Sequence, residues 1–152
     1  MWSRRKRSGP PVGGVEALLL VDTSSWIHFL RPDGDPGVHA RVETALESGD
    51  ACWCPLVQLE LWNGARGAHE RSVLREFARV LPELAISSEV WTKASELATQ
   101  ARARGVTAPA TDVLIAACAL HHGADLETAD SDFDHLAAVG DSTRLAQVRE
   151  VD

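Results

Sequence analysis

The chain has no tyrosine, one methionine, three cysteines and only two lysines, Lys6 and Lys93. No apolar run approaches the roughly 20 residues that a membrane-spanning helix needs. Cys52-Trp53-Cys54 is spaced too tightly for a usual zinc site, and Cys118 has no second cysteine beside it to complete one. All three cysteines are therefore expected as reduced core residues. His28, His39, His69, His121, His122 and His135 include no pair at metal-ligand spacing. There is no Gly-x-Ser-x-Gly elbow for a serine nucleophile and no Gly-x-x-x-x-Gly-Lys phosphate loop. These gaps argue against a zinc enzyme, a serine hydrolase and a P-loop nucleotidase.

What is present fits one α/β domain. The 152 residues are 45% hydrophobic and 24% charged, enough for a substantial core. The net charge of −7 is uneven: residues 1–14 carry Arg4, Arg5, Lys6 and Arg7 and no acid, which leaves −11 on the remainder. The expectation is a disordered basic tail over 1–14 and a single domain over 15–152. Arg4-Arg5 resembles the start of a twin-arginine export signal, but Gly9-Pro10-Pro11-Val12-Gly13-Gly14 follows in place of an apolar region of about 7–15 residues. A cytoplasmic protein is expected. An acidic body argues against binding nucleic acid through one broad basic face.

Leu18-Leu19-Leu20-Val21 reads as a strand buried on both faces, ending on Asp22, with Thr23 or Ser24 as N-cap of the next helix. Further strands are expected at 51–54, 84–87, 124–129 and, at an edge, 145–148. Helices are expected near 24–30, 37–48, 55–64, 68–81, 88–104 and 113–120, the last capped by Thr111. Gly49 and Gly123 stand where helices should stop. Strands alternating with helices imply a mainly parallel sheet.

Four acids then share one logic. Asp22 and Asp130 end strands, Asp112 opens the most apolar helix, and Glu60 lies in a helix with Leu56, Val57, Leu59, Leu61 and Trp62. Each alone is an ordinary turn, dipole-facing or surface acid. Together, strand-end and helix-start acids at one sheet edge can face one cleft, where open α/β sheets bind ligands. Carboxylates without histidine or cysteine suit Mg²⁺ or Mn²⁺, and such an ion makes water a better nucleophile.

The segments Val21-Asp22-Thr23-Ser24, Leu59-Glu60-Leu61 with Asn63-Gly64-Ala65-Arg66, Asp112-Val113-Leu114-Ile115-Ala116-Ala117 and Thr128-Ala129-Asp130-Ser131-Asp132-Phe133 carry a resemblance. In order and spacing, over about residues 17–139, the chain resembles PIN-domain ribonucleases of the VapC toxin type. The resemblance implies a three-layer α/β/α sandwich with a central, mainly parallel sheet. It implies an Mg²⁺- or Mn²⁺-dependent endoribonuclease toxin of a type II toxin–antitoxin pair, dimeric and neutralised by an antitoxin. Asp22 and Asp112 match the acids that hold metal most directly. Glu60 and Asp130 match the supporting acids, with Asp132 as a further outer ligand. Thr23, Ser24 and Thr128 match hydroxyls that orient acids or metal waters. Glu127 departs from the pattern, which has an uncharged residue there; a regular strand should turn it away from the cleft.

Other residues are weaker candidates. Arg31 and Arg66 flank the cleft segments and are read as steering substrate phosphates. Arg71, Arg75 and Arg79 fall at four-residue spacing, a phosphate-facing stripe in one reading, although Glu70 and Glu76 beside them suit a plain solvated face. Trp26, Trp53, Trp62 and Trp91 are read first as core, with Trp26 and Trp62 the candidates for a partner groove. One alternative function is a catalytically silent PIN-like module that binds RNA or protein. Another is an Asp-nucleophile phosphatase or receiver with Asp22 as nucleophile; it requires a lysine near the strand edge, and Lys93 falls inside a long helix.

Overall fold

The structure, a computed structural model, describes residues 18–130 and 132–139. The tail at 1–14 and the edge strand expected at 145–148 lie outside the described residues.

Three short strands form an all-parallel sheet in the order β2-β1-β3: β1 is Leu19–Val21, β2 Ala51–Cys52 and β3 Asp125–Glu127. The helices are α1 Thr23–Leu30, α2 Pro36–Ser48, α3 Pro55–Asn63, α4 Gly67–Val80, α5 Ser88–Ala103, α6 Ala110–His122 and α7 Asp132–Val139. From β1 the chain steps one way to β2 and then back across to β3. Right-handed crossovers in opposite directions put their helices on opposite faces of the sheet. The result is the expected α/β/α sandwich. It also makes the C-terminal end of β1 the point where strand order reverses, the crevice where such sheets place their sites.

Both pairs beside β1 are parallel, so its strand carries Leu20 and Val21 fully buried, as the unbroken aliphatic run requires. Beyond β2, among the described residues, the sheet is prolonged by a bridge between Trp53 and Glu83. Trp53 N–H donates to the Pro82 carbonyl and Leu84 N–H to the Trp53 carbonyl. The strand expected at 84–87 is thus reduced to this contact. Trp26 and Trp53 both pack on Phe77, with ring centroids 4.9 and 6.0 Å away, and these three side chains fill the space between α1, β2 and α4.

The helix ends explain themselves chemically, with two corrections. Asp22, not Thr23 or Ser24, is the N-cap of α1, and its carboxylate accepts from Ser25 N–H. An aspartate caps as well as a threonine, and placing it one residue earlier lets the helix start directly at the strand end. Likewise α6 starts at Ala110 without a Thr111 cap: Pro109 lies at the N-cap position and its carbonyl accepts from Val113 N–H. Gly49 and Gly123 end α2 and α6 in the left-handed region, at φ of 80° and 65°. At Gly123 the chain reverses within two residues into β3. Because α6 packs on β3, its N-terminus returns to the C-terminal edge of the sheet.

The three cysteines are buried and free, as expected. Burial pushes the Cys52 thiol up to about 12, which keeps it protonated and inert.

Candidate active site

Asp22 lies at the switch point and is 3% exposed. Thr128 Oγ1 donates to its Oδ2 at 2.6 Å, and Ser24 Oγ and Ser25 N–H donate to its Oδ1 at 2.8 and 3.1 Å. No basic side chain among the described residues pairs with it. Burial pushes its carboxyl above the usual carboxylate range, outweighing the three hydrogen bonds, and the charge of Asp130 acts in the same upward direction. A desolvated anion facing a second anion is a place prepared for a cation.

Asp130 and Glu60 are brought in by identifiable bonds. Past β3, Ala129 N–H donates to Ser24 Oγ at 3.2 Å and Asp130 N–H to Thr128 Oγ1 at 2.9 Å. Thr128 therefore orients both Asp22 and Asp130. Glu60, partly buried on α3, accepts from Thr23 Oγ1 at 2.7 Å, which ties it to the residue next to Asp22. Asp112 is partly buried in the first turn of α6. That helix packs on α3 and β3 and so delivers Asp112 to the same sheet edge. Asp132 opens α7, and its side chain lies outside the described part.

Among the described residues, no three His, Cys, Asp or Glu side chains are gathered into a ready metal cluster. The donors present are all carboxylates and hydroxyls, the hard oxygen set that Mg²⁺ and Mn²⁺ take. Oxygens of Asp22 and Glu60 accept from the hydroxyls of Thr128, Ser24 and Thr23, which helps to offset their charge. The donor chemistry fits such an ion.

Glu127 resolves the one departure from the expected pattern. It is buried and alternates away from Thr128, with Arg41 Nε at 2.7 Å from Oε1 and Ser25 Oγ at 3.4 Å from Oε2. The acid is thus neutralised on the α1–α2 side and does not compete with Asp130. Neither Arg41 nor Ser25 was anticipated as its partner; the signal available was a charged residue at a position that should be buried.

Arg31 is engaged by Glu70, Nε to Oε2 at 2.8 Å, and Glu70 also accepts from Arg66 N–H at 2.8 Å. The Arg31 charge is therefore compensated, whereas the Arg66 side chain is exposed. Trp26 is core, as first read: it is fully buried against Phe29 and Phe77, which removes it as a partner-groove candidate. Trp91, read as core, is exposed, because it falls on the outer side of α5 from Val90, Ala94 and Leu97. Trp62 is 38% exposed, near the 65% exposed Leu59 on α3, and keeps its place as a partner-facing candidate.

Replacing Thr128 with valine keeps its shape and removes both bonds. Thr128→Val is expected to weaken the apparent Mn²⁺ affinity by roughly 10–100-fold, as loss of an outer-shell orienting group does, and to lower the metal-free unfolding midpoint at neutral pH by several degrees, because the buried Asp22 carboxylate loses a donor. A titration of Mn²⁺ by calorimetry, with thermal unfolding alongside, checks both.

The PIN domain family matches residues 19–139, and the chain is a member of it. Ribonuclease VapC11 of Mycobacterium tuberculosis is 30% identical over 125 residues, covering 80% of this chain and 93% of that protein. Ribonuclease VapC21 of the same organism is 30% identical over 107 residues, 68% of this chain and 78% of that protein. Within the PIN family, the chain thus belongs with the VapC ribonucleases. Among solved structures, FitAcB from Neisseria gonorrhoeae has a TM-score of 0.63 at 23% identity, covering 78% of this chain and 93% of that one. This likeness shows the fold.

Proposed function

We propose that the chain is an Mg²⁺- or Mn²⁺-dependent endoribonuclease and the toxin of a type II toxin–antitoxin pair. The observation that carries this reading is Asp22: a buried carboxylate with three hydrogen-bond donors, no cationic partner among the described residues and a second acid beside it. Asp22 and Asp112 would hold the ion, with Glu60 and Asp130 supporting and Asp132 beyond them. When bound, the ion supplies Lewis acidity and lowers the pKa of water.

The protein's own part is positioning. Thr128 and Ser24 fix the Asp22 carboxylate, Thr23 fixes Glu60, and the Thr128 bond to Asp130 N–H holds the loop after β3. Water attacking in line would leave a 5′-phosphate and a 3′-hydroxyl. Arg66, at the start of α4, is better placed than the paired Arg31 to meet substrate phosphates. A cognate antitoxin is inferred from neighbours whose structures are toxin–antitoxin complexes, such as the one from Klebsiella pneumoniae. The exposed Leu59 and Trp62 offer apolar surface for such a partner. A homodimer and a cytoplasmic location belong to the same reading; among the described residues no helix is long and apolar enough to cross a membrane.

The test is cleavage of a mixed cellular RNA by the purified chain. Activity should vanish in EDTA and return with Mn²⁺ but not with Ca²⁺ alone, and the new ends should carry 5′-phosphate. The catalytically silent module predicts no cleavage in either condition.

A further inference from the structure

Helix α4 buries Glu70, Leu74 and Phe77. Its opposite side presents Ala68, Arg71, Ser72, Arg75, Ala78 and Arg79, all exposed. In the sequence this stripe seemed neutralised by Glu70 and Glu76. The structure shows otherwise. Glu70 is turned inward, with its oxygens taken by Arg31 and by Arg66 N–H. Glu76 accepts from Arg79 at 2.7 Å. Arg71 and Arg75 are left without an acidic partner among the described residues, and the exposed Arg66 stands just before the helix. This is a local surplus of positive charge on a chain of net −7.

The place of the stripe is defined by the site. Helix α1 begins at Asp22 and ends at Arg31, whose guanidinium holds Glu70 and the Gly64 carbonyl. Helix α3 carries Glu60 and ends at Asn63, next to the same corner. Helix α1, capped by Asp22, and helix α3, which carries Glu60, thus both run to the start of α4. Eight residues of α1 at 1.5 Å each put that start about 12 Å from Asp22, a few nucleotides along an extended strand.

We propose that Arg71 and Arg75, with Arg66, form a backbone track for single-stranded RNA that continues from the active site along α4. The proposal rests on the ribonuclease reading. Four-residue spacing sets the Arg71 and Arg75 positions about 6 Å apart along the helix axis, a separation that suits neighbouring phosphates of one strand. The side chains between them are alanine and serine, so a strand can approach closely. A protein partner would want an apolar anchor at the centre of its contact, and this stripe has none. Arginine's fork suits phosphate oxygens.

The test measures binding of the full chain to a fluorescein-labelled oligouridine by anisotropy, in EDTA, over a series of salt concentrations. The Arg71→Ala/Arg75→Ala double variant should bind roughly tenfold more weakly at low salt. The slope of log affinity against log salt should fall by about 1.4, two phosphate contacts' worth for a single strand. Arg71→Lys/Arg75→Lys should restore most of the slope. Lys93→Ala/Arg102→Ala, which removes the same charge from exposed positions on α5, should leave it unchanged. Equal slopes for wild type and the α4 double variant overturn the track, whether or not that variant loses an acidic protein partner. Equal losses in both double variants also overturn it, since net charge alone would then account for binding. Mn²⁺-dependent cleavage by wild type, measured in parallel, judges the ribonuclease reading separately: its failure leaves the slopes to decide the track.

Discussion

Asp112→Asn is expected to lower Mn²⁺-dependent RNA cleavage by about a thousandfold or more, in the range seen when one transition-state-stabilising group is removed. The fold should survive. Helix α6 is held by Val113 to Ala119, all buried, and the place of the aspartate in the first turn is worth less than about 1 kcal/mol. The change is isosteric and removes one anionic oxygen from the cleft. Cleavage rate and unfolding midpoint should therefore separate cleanly. A variant that is inactive because it is unfolded would show in the second measurement, and one that cuts at the wild-type rate would remove Asp112 from the site.

Asp22→Asn should do something less usual: abolish the response to metal and make the metal-free protein more stable. The carboxyl of Asp22 is raised by burial, with Asp130 adding to it. A group whose folded pKa lies above its unfolded value holds its proton more tightly in the native state. Its contribution to stability is greatest below the ordinary carboxylate range. It is lost as pH rises through the folded value, and at neutral pH the native charge is a cost. Asparagine removes that cost while keeping an acceptor for Ser24 and Ser25 N–H and offering its amide to Thr128 Oγ1. Each 1 kcal/mol recovered raises the unfolding midpoint by roughly 2–4 °C in a domain of this size. Wild type alone should then gain stability on adding Mn²⁺, since an ion that binds only the native state stabilises it by mass action. Midpoints measured from pH 4 to 8, with and without Mn²⁺, test both halves. The excess stability of the variant should shrink toward the acid end. A variant less stable than wild type at neutral, metal-free pH would contradict the account.

The placement of three candidate acids, Asp22, Asp112 and Asp130, was legible in the chain because they sit at element boundaries, which sequence marks well; Glu60 lies inside α3. A run of aliphatics ending on Asp22, an apolar helix opening at Asp112 and a strand ending before Asp130 each locate a carboxylate at the same sheet edge. Gly49 and Gly123 adopt the left-handed conformation their positions imply. What could not be read depends on partners distant in sequence. Glu127 is neutralised by Arg41, 86 residues away, and no local pattern announces that pairing. The stripe on α4 looked balanced because Glu70 and Glu76 are its neighbours in sequence; burial of Glu70 against Arg31 undoes the balance. Trp26 and Trp62 follow cleft acids in similar fashion, yet one is core and the other is surface. The helix α7 was missed because its single turn of apolar residues after Asp132 is short, and packing on α5 and α6 rather than local propensity settles it.

Everything functional follows from the claim that Asp22, Asp112, Glu60 and Asp130 act as one oxygen site for a divalent ion. Calorimetric titration of the metal-free chain with Mn²⁺ tests it most directly, alongside the Asp22→Asn and Asp112→Asn proteins. Saturable binding by wild type that is lost in both variants is the predicted result. No binding by wild type, or the same binding by all three folded proteins, would contradict it.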